Sequence, residues 1–243
     1  MEQNFVTSRY DFSERVILLT GGTGALGSAV TKVFSGCNAK VISTYVNNPK
    51  IEGLEEHVNS RIELIRADLG KEDQVKNLVS HVLKKYSEIH ILVNVVGGYL
   101  GGKSVVELDE KEWDLMMTMN LKSAFLISKH VIPKMISSKA GKIVHVSSIS
   151  GLKSTGYDSA YSASKAGLIR FVESLSEEVK QFNINVNCIM PSIIDTLQNR
   201  RTMPNADFSK WVQLQDIANL ILFLCSEESK AITGSAVPIR GLA

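Results

Sequence analysis

The sequence predicts a single doubly wound α/β domain, a parallel sheet with helices on both faces. Three observations lead there. Short apolar runs rich in Val, Ile and Leu alternate with longer segments whose apolar residues recur at helical spacing. The first apolar run ends in a cluster of glycines. The chain has 243 residues, which suits one large domain and is short for two. Alternation of this kind implies parallel pairing, because each helix carries the chain back across the sheet. Right-handed crossovers then wind the sheet in both directions.

The elements follow in order. Residues 1–14 are polar and read as an arm leading into a domain that spans 15–243. Residues 15–20 (RVILLT) form a continuous apolar run stopped by glycine, so a strand buried on both faces. A helix is expected at 24–35, then strands at 40–45 (KVISTY) and 62–66 (IELIR). Residues 71–86 are amphipathic, with Val75, Leu78, Val79, Val82, Leu83 and Tyr86 on one face. A fourth strand is expected at 89–96. A helix then starts near Asp109, with Glu112 three residues on as its capping partner, and runs past Asn120 towards Pro133. Strand five covers 142–147, a long helix 157–182, strand six 184–190, a helix 215–225 and a last strand 236–239.

Composition excludes several classes of function. Hydrophobic residues make up 44% and charged residues 21%, as in a folded globular protein. The net charge of +2 is scattered, so no nucleic-acid partner is expected. Cys37, Cys188 and Cys225 are far apart and form no close pair, which reads as buried free thiols in a reducing compartment. The first residues lack the apolar run of a signal peptide, and no apolar segment reaches membrane-spanning length. A cytoplasmic protein with no membrane partner is the expectation. His57, His81, His90 and His130 show no metal-ligand spacing, and His145 reads as core, so no metal is expected.

In a doubly wound sheet, ligands bind beyond the carboxyl ends of the strands, so the residues just after each strand matter most. After the first strand the chain reads Thr20-Gly21-Gly22-Thr23-Gly24-Ala25-Leu26-Gly27, then a helix. Glycines let backbone approach a pyrophosphate, and the helix N-terminus offers free N–H groups. After the fifth strand come Ser147-Ser148 and, thirteen residues past Ser148, Tyr161-Ser162-Ala163-Ser164-Lys165. Tyr161 and Lys165 lie four apart on a predicted helix and share a face, though such a pair taken alone is common on helix surfaces. A nearby ammonium would lower the phenol, letting it exchange protons near neutral pH. Ser148 would donate to the same substrate oxygen.

The glycine run, Asn94-Val95-Val96-Gly97, Asn120, Ser148, Tyr161-x-x-x-Lys165 and Pro191-Ser192 together resemble the short-chain dehydrogenase/reductase family, from about Arg15 onwards. The resemblance implies a Rossmann-type sheet and a hydride transfer between a nicotinamide and a carbonyl or alcohol carbon. Asn120, Ser148, Tyr161 and Lys165 would be its catalytic set. Gly21, Thr23, Gly24, Leu26 and Gly27 would cradle the dinucleotide, with Tyr45 at the end of strand two. Asp68 and Leu69 would flank the adenine, and Asn94 and Gly97 would line the cleft. Lys165 would hold the nicotinamide ribose and tune Tyr161, with Asn120 supporting it through a water relay. Pro191, Ile194 and Thr196 would lie at the nicotinamide end. The resemblance also implies a homodimer or homotetramer formed through the two long helices.

Some positions depart from the family pattern. Ala25 stands where many members have glycine, and Pro191-Ser192 replaces Pro-Gly. Strand two ends in Thr44-Tyr45-Val46-Asn47-Asn48 with no acid to accept from an adenine ribose, which favours NADP(H) over NAD(H). No arginine follows Tyr45 directly, so NAD(H) stays open. The strands, the helix over 168–182 and Ile232-Thr233-Gly234 are similar to 3-oxoacyl-carrier-protein reductases and related carbonyl reductases. Residues 97–102 and 195–211 are similar to quinonoid dihydropteridine reductase, a second reading. A non-catalytic dinucleotide sensor is a third, which would not need Tyr161 and Lys165. Tyr99, Tyr157, Met203 and Trp211 are candidates for the substrate side, with ordinary packing as the alternative.

Overall fold

A computed structural model describes residues 10–48, 51 and 60–242. Residues 1–9 of the expected arm and His57 lie outside these. Seven parallel strands form one sheet in the order β3-β2-β1-β4-β5-β6-β7. They are β1 (Val16–Thr20), β2 (Lys40–Tyr45), β3 (Ile62–Arg66), β4 (Ile91–Asn94), β5 (Gly141–Val146), β6 (Ile184–Pro191) and β7 (Ala236–Ile239). The order reverses between β1 and β4, and that switch point opens the cleft.

Helices α1 (Ala25–Gly36), α2 (Glu72–Tyr86), α3 (Glu110–Met117), α4 (Ser123–Ser138), α5 (Ser159–Val179), α6 (Leu197–Thr202) and α7 (Leu214–Cys225) complete the fold. Two apolar cores cover the two faces of the sheet. One packs α2, α4 and α5 on strand residues such as Leu18, Leu92 and Ile143. The other packs α1 and α7 on Ile17, Leu19 and Val144. Adjacent strand residues thus face opposite cores, which is why these strands read as continuous apolar runs. Before β1, Phe12 is buried edge-on against Phe34, with its N–H donating to the Cys37 carbonyl at 2.8 Å. Phe12 therefore belongs to the core, while its neighbours Asp11, Ser13 and Glu14 are exposed.

Local differences from the sequence expectations have physical causes. The long helix after Asp109 carries the expected capping box with Glu112. It is not one regular helix, because Thr118–Lys122 forms a π-helical turn between α3 and α4. It also does not stop at Pro133, since buried Val131 and Met135 on either side hold the chain helical to Ser138. The helix expected from Tyr157 starts instead at Ser159, because Tyr157 has φ +67°, left-handed backbone that a helix cannot use. The fourth strand ends at Asn94, beyond which the Gly98 N–H pairs with a side chain. α6 was not anticipated from the sequence; Thr196 caps it by accepting from the Asn199 N–H at 3.1 Å.

Candidate functional site

The side expected to hold the cofactor begins with the turn between β1 and α1. Gly21 has φ +68°, and its N–H donates to Thr44 Oγ1 at 3.0 Å, tying the turn to β2. A Cβ on Gly27 would lie 2.1 Å from the Gly21 carbonyl oxygen and 2.6 Å from Gly22 Cα, so only glycine lets α1 start this close to β1. Gly24 precedes the helix as its cap, and a Cβ there would meet only the Gly21 oxygen, at 3.4 Å. No acidic residue occupies the first turn of α1. A side-chain-free floor facing an uncompensated helix N-terminus fits a pyrophosphate in shape and in charge. Thr23 and Leu26 flank this floor. Tyr45 ends β2 in register with Arg66. Asp68 accepts from the Gly70 N–H at 3.0 Å and so shapes the turn before α2, where Leu69 is buried.

Asn94 is differently engaged. Its Oδ1 accepts from Thr20 Oγ1 at 2.5 Å and its Nδ2 faces His145 Nδ1 at 3.2 Å. An amide nitrogen can only donate, so Nδ1 accepts and the ring proton sits on Nε2, facing Ser128 Oγ at 3.2 Å. This buried chain joins β1, β4, β5 and α4. Burial, then the charge of Lys165, holds His145 down to about 3, so it stays neutral.

The residues expected to form the catalytic set converge at the carboxyl ends of β4 and β5. The π-helical turn presents Asn120, which is wholly buried. Its Oδ1 accepts from the Gly98 N–H at 2.9 Å, while Nδ2 donates to the Gly98 carbonyl at 3.1 Å and to Ser164 Oγ at 3.0 Å. A Cβ on Gly97 would fall 2.9 Å from Asn120 Oδ1 and 3.0 Å from Lys165 Nζ, which places all three around one point. Lys165 Nζ donates to the Val146 carbonyl at 2.9 Å, and burial brings the ammonium down to about 8. Ser148 is buried beyond β5, and its Oγ accepts from the Ser150 N–H at 3.1 Å.

Tyr161 corrects one expectation. The Tyr161–Lys165 spacing predicts a lowered phenol, yet here it is raised. Burial pushes it up, a hydrogen bond with Ser148 pulls it down, and the negative charge of Asp158 pushes it up again. Lys165 Nζ lies 5.9 Å from the Tyr161 ring centre and is committed to a backbone carbonyl, so desolvation wins.

On the side expected for the substrate, two loops are clasped together. Tyr99 Oη donates to Asp158 Oδ1 at 2.8 Å, and the Gly102 N–H donates to the Tyr157 carbonyl at 2.8 Å. The Tyr99 ring stands edge-on to Tyr161, centres 5.0 Å apart. A Cβ on Gly101 would strike both Asp158 Oδ1 and Tyr99 Oη, at 2.2 and 2.5 Å. Asp158 precedes α5, yet its carboxylate does not cap that helix. Burial and Asp158 push Tyr99 up to about 12. Tyr99 and Tyr157 are exposed beside the cleft, whereas Trp211 is buried against Phe208, which assigns it to packing. Met203 ends α6, and its N–H donates to the Asn199 carbonyl at 2.9 Å. Pro191 closes β6, Ile194 bridges to Val212, and Thr196 caps α6. Asp158 and Ser164 escaped the sequence reading. The signal for Asp158 was its place three residues before Tyr161, at the expected start of a helix.

Among the described residues no group of His, Cys, Asp and Glu is placed to hold a metal ion, and no helix is long and apolar enough to cross a membrane.

Comparison with known proteins agrees with this geometry. Residues 15–207 match the short chain dehydrogenase family. A 3-oxoacyl-[acyl-carrier-protein] reductase of Thermotoga maritima is 30% identical over 238 residues, covering 93% of this chain and 96% of the relative. Dehydrogenase/reductase SDR family member 6 of Rattus norvegicus is 31% identical over 242 residues, with the same coverage. Among solved structures, ElxO with NADP bound superposes with a TM-score of 0.86 at 25% identity, covering 93% of this chain and 97% of that one. The chain therefore belongs to the short-chain dehydrogenase family and is an NAD(P)-dependent oxidoreductase.

Proposed function

We propose that this enzyme reduces a carbonyl to an alcohol with NADP(H), the substrate being a 3-oxoacyl thioester or another ketone. The observation that carries the reading is the convergence of Ser148, Tyr161 and Lys165 beyond β5, with Asn120 behind them. The nicotinamide supplies or accepts the hydride when bound. Tyr161 handles the proton at its Oη. A phenol raised by burial stays protonated at neutral pH, which suits donation to a developing alkoxide. Ser148 Oγ–H donates to the same oxygen and orients the carbonyl. Lys165 keeps a positive charge beside the phenol and the ribose, and Asn120 holds the Gly97–Gly98 backbone against it.

The cradle around Gly21 and Gly27 fits the dinucleotide, and β2 ends without an acid to repel a 2′-phosphate. ElxO, which binds NADP, and the 3-oxoacyl-[acyl-carrier-protein] reductases support the same choice of cofactor and substrate class. Assembly as a homodimer or homotetramer through α3, α4 and α5 is part of the proposal. Trp113, Leu115 and Phe125, apolar and partly exposed on α3 and α4, support it.

Tyr161→Phe tests the chemistry. Turnover of acetoacetyl-CoA with NADPH should fall by about 10²–10⁴-fold while NADPH affinity holds. Undiminished turnover would remove Tyr161 from the reaction. Quinonoid dihydropterin is the second probe, because Tyr99 offers an aromatic wall beside Tyr161. Ser148→Ala separates the two substrate classes. A large loss on the ketone supports the carbonyl reading, whereas pterin turnover that ignores Ser148 supports the other.

A further inference from the structure

The end of β2 leaves one question about cofactor choice. It has no acid to bind a bare ribose and no arginine after Tyr45 to bind a phosphate. The sheet register supplies a cation from the neighbouring strand. Arg66 ends β3 and pairs with Tyr45, the last residue of β2. Paired residues of a parallel sheet project to the same face, so Arg66 and Tyr45 stand side by side. Arg66 Nε donates to the Val46 carbonyl at 3.2 Å, which draws the guanidinium to the residue following β2. That bond uses one nitrogen and leaves the two terminal ones.

The nearby acids among the described residues are otherwise engaged. Glu63 lies three residues earlier on β3, hence on the opposite face, where it meets Lys85, His81 and Tyr86. Asp68 accepts from the Gly70 N–H and faces Lys71 at 3.8 Å. Among the described residues no carboxylate pairs with Arg66. Its side chain is solvent-exposed, at the sheet end where the dinucleotide cradle opens.

We propose that Arg66 reads the 2′-phosphate of NADP(H), its two terminal guanidinium nitrogens meeting phosphate oxygens beside Tyr45. Selectivity is thereby set from β3, by a residue twenty-one positions beyond the one that usually decides it. The planar fork suits two-point contact with a phosphate, which a lysine ammonium does not reproduce. The inference rests on the NADP(H) reading above and concerns binding alone.

The test is calorimetric titration of the full chain with NADPH, NADH, 2′,5′-ADP and 5′-AMP, needing no substrate. Wild type should prefer NADPH to NADH and 2′,5′-ADP to 5′-AMP. Arg66→Gln should weaken NADPH and 2′,5′-ADP by roughly 10- to 100-fold and leave NADH and 5′-AMP within about twofold. Arg66→Lys should recover part of the loss. Equal loss for all four ligands would overturn the proposal, because Arg66 would then act only by bracing Val46. Unchanged NADPH affinity in Arg66→Gln would overturn it too. A wild type that binds NADH as tightly as NADPH defeats the cofactor choice and Arg66 with it, while leaving the oxidoreductase intact. Failure to bind any of the four would strike at the dinucleotide site itself.

Discussion

The two sides of the cleft are built on different principles. The cofactor side is made of backbone and of missing side chains: Gly21, Gly22 and Gly27 bring β1, β2 and α1 so close that added atoms have no room. The proposed catalytic and substrate side is made of side chains that reach across the fold. Asn120 spans from a π-helical turn to the loop after β4, Lys165 from α5 to β5, and Tyr99 to Asp158 across 59 positions. A backbone cradle suits a cofactor of constant shape. A side-chain clasp can change without disturbing the sheet, and it is there that substrate choice can vary.

The largest test of this contrast is Gly27→Ala. With a Cβ forced to 2.1 Å from the Gly21 oxygen, the turn must open. A loss of more than about 3 kcal/mol in urea unfolding, with loss of NADPH binding, is expected. Near-wild-type behaviour would mean the cradle is adaptable, and the contrast would fail.

His145, fully buried in β5, predicts an acid limit. Its folded pKa of about 3 is below the ordinary 6.5, so the stability tied to the neutral ring is complete above about 6.5 and is lost as pH falls towards 3. Each pH unit in that window should cost up to about 1.4 kcal/mol from this group. Chemical denaturation at several pH values would show it, and His145→Asn should flatten the slope.

The clasp should give smaller, functional effects. Tyr99→Phe keeps the ring but loses the bond to Asp158, and should raise KM for a ketone by about three- to tenfold with little change in stability. Asp158→Asn keeps an acceptor for Tyr99 but removes the charge that raises Tyr161. The acid limb of alcohol oxidation, which needs the phenolate, should then move to lower pH. A limb that stays in place would show that Asp158 acts by geometry alone.

The smallest effect is Gly24→Ala. Its new Cβ meets one atom at 3.4 Å, so the cost should stay below about 1 kcal/mol. Two glycines three residues apart thus separate a position that must be bare from one that merely caps a helix. The resemblance placed both in the cradle, and only the packing tells them apart.

Much of this molecule was legible in its sequence because the signals are local. Short stretches rich in Val, Ile and other aliphatic residues between turn-forming segments mark the strands, and β2, β3 and β7 were readable to the residue. The glycine run, the capping box at Asp109 and the four-residue step from Tyr161 to Lys165 likewise depend on near neighbours. Other features depend on distant partners. The π-helical turn at Asn120 pairs with Gly98, 22 positions away. The raised phenol of Tyr161 follows from how deeply the finished fold buries it and from where Lys165 turns. The adjacency of Arg66 to Tyr45 exists only in the register of two strands. The chain by itself determined the order of strands and helices and the chemistry available at their ends. Tertiary structure alone decided which of those groups meet and how their charges are screened, because contact and desolvation depend on what folding brings alongside each residue.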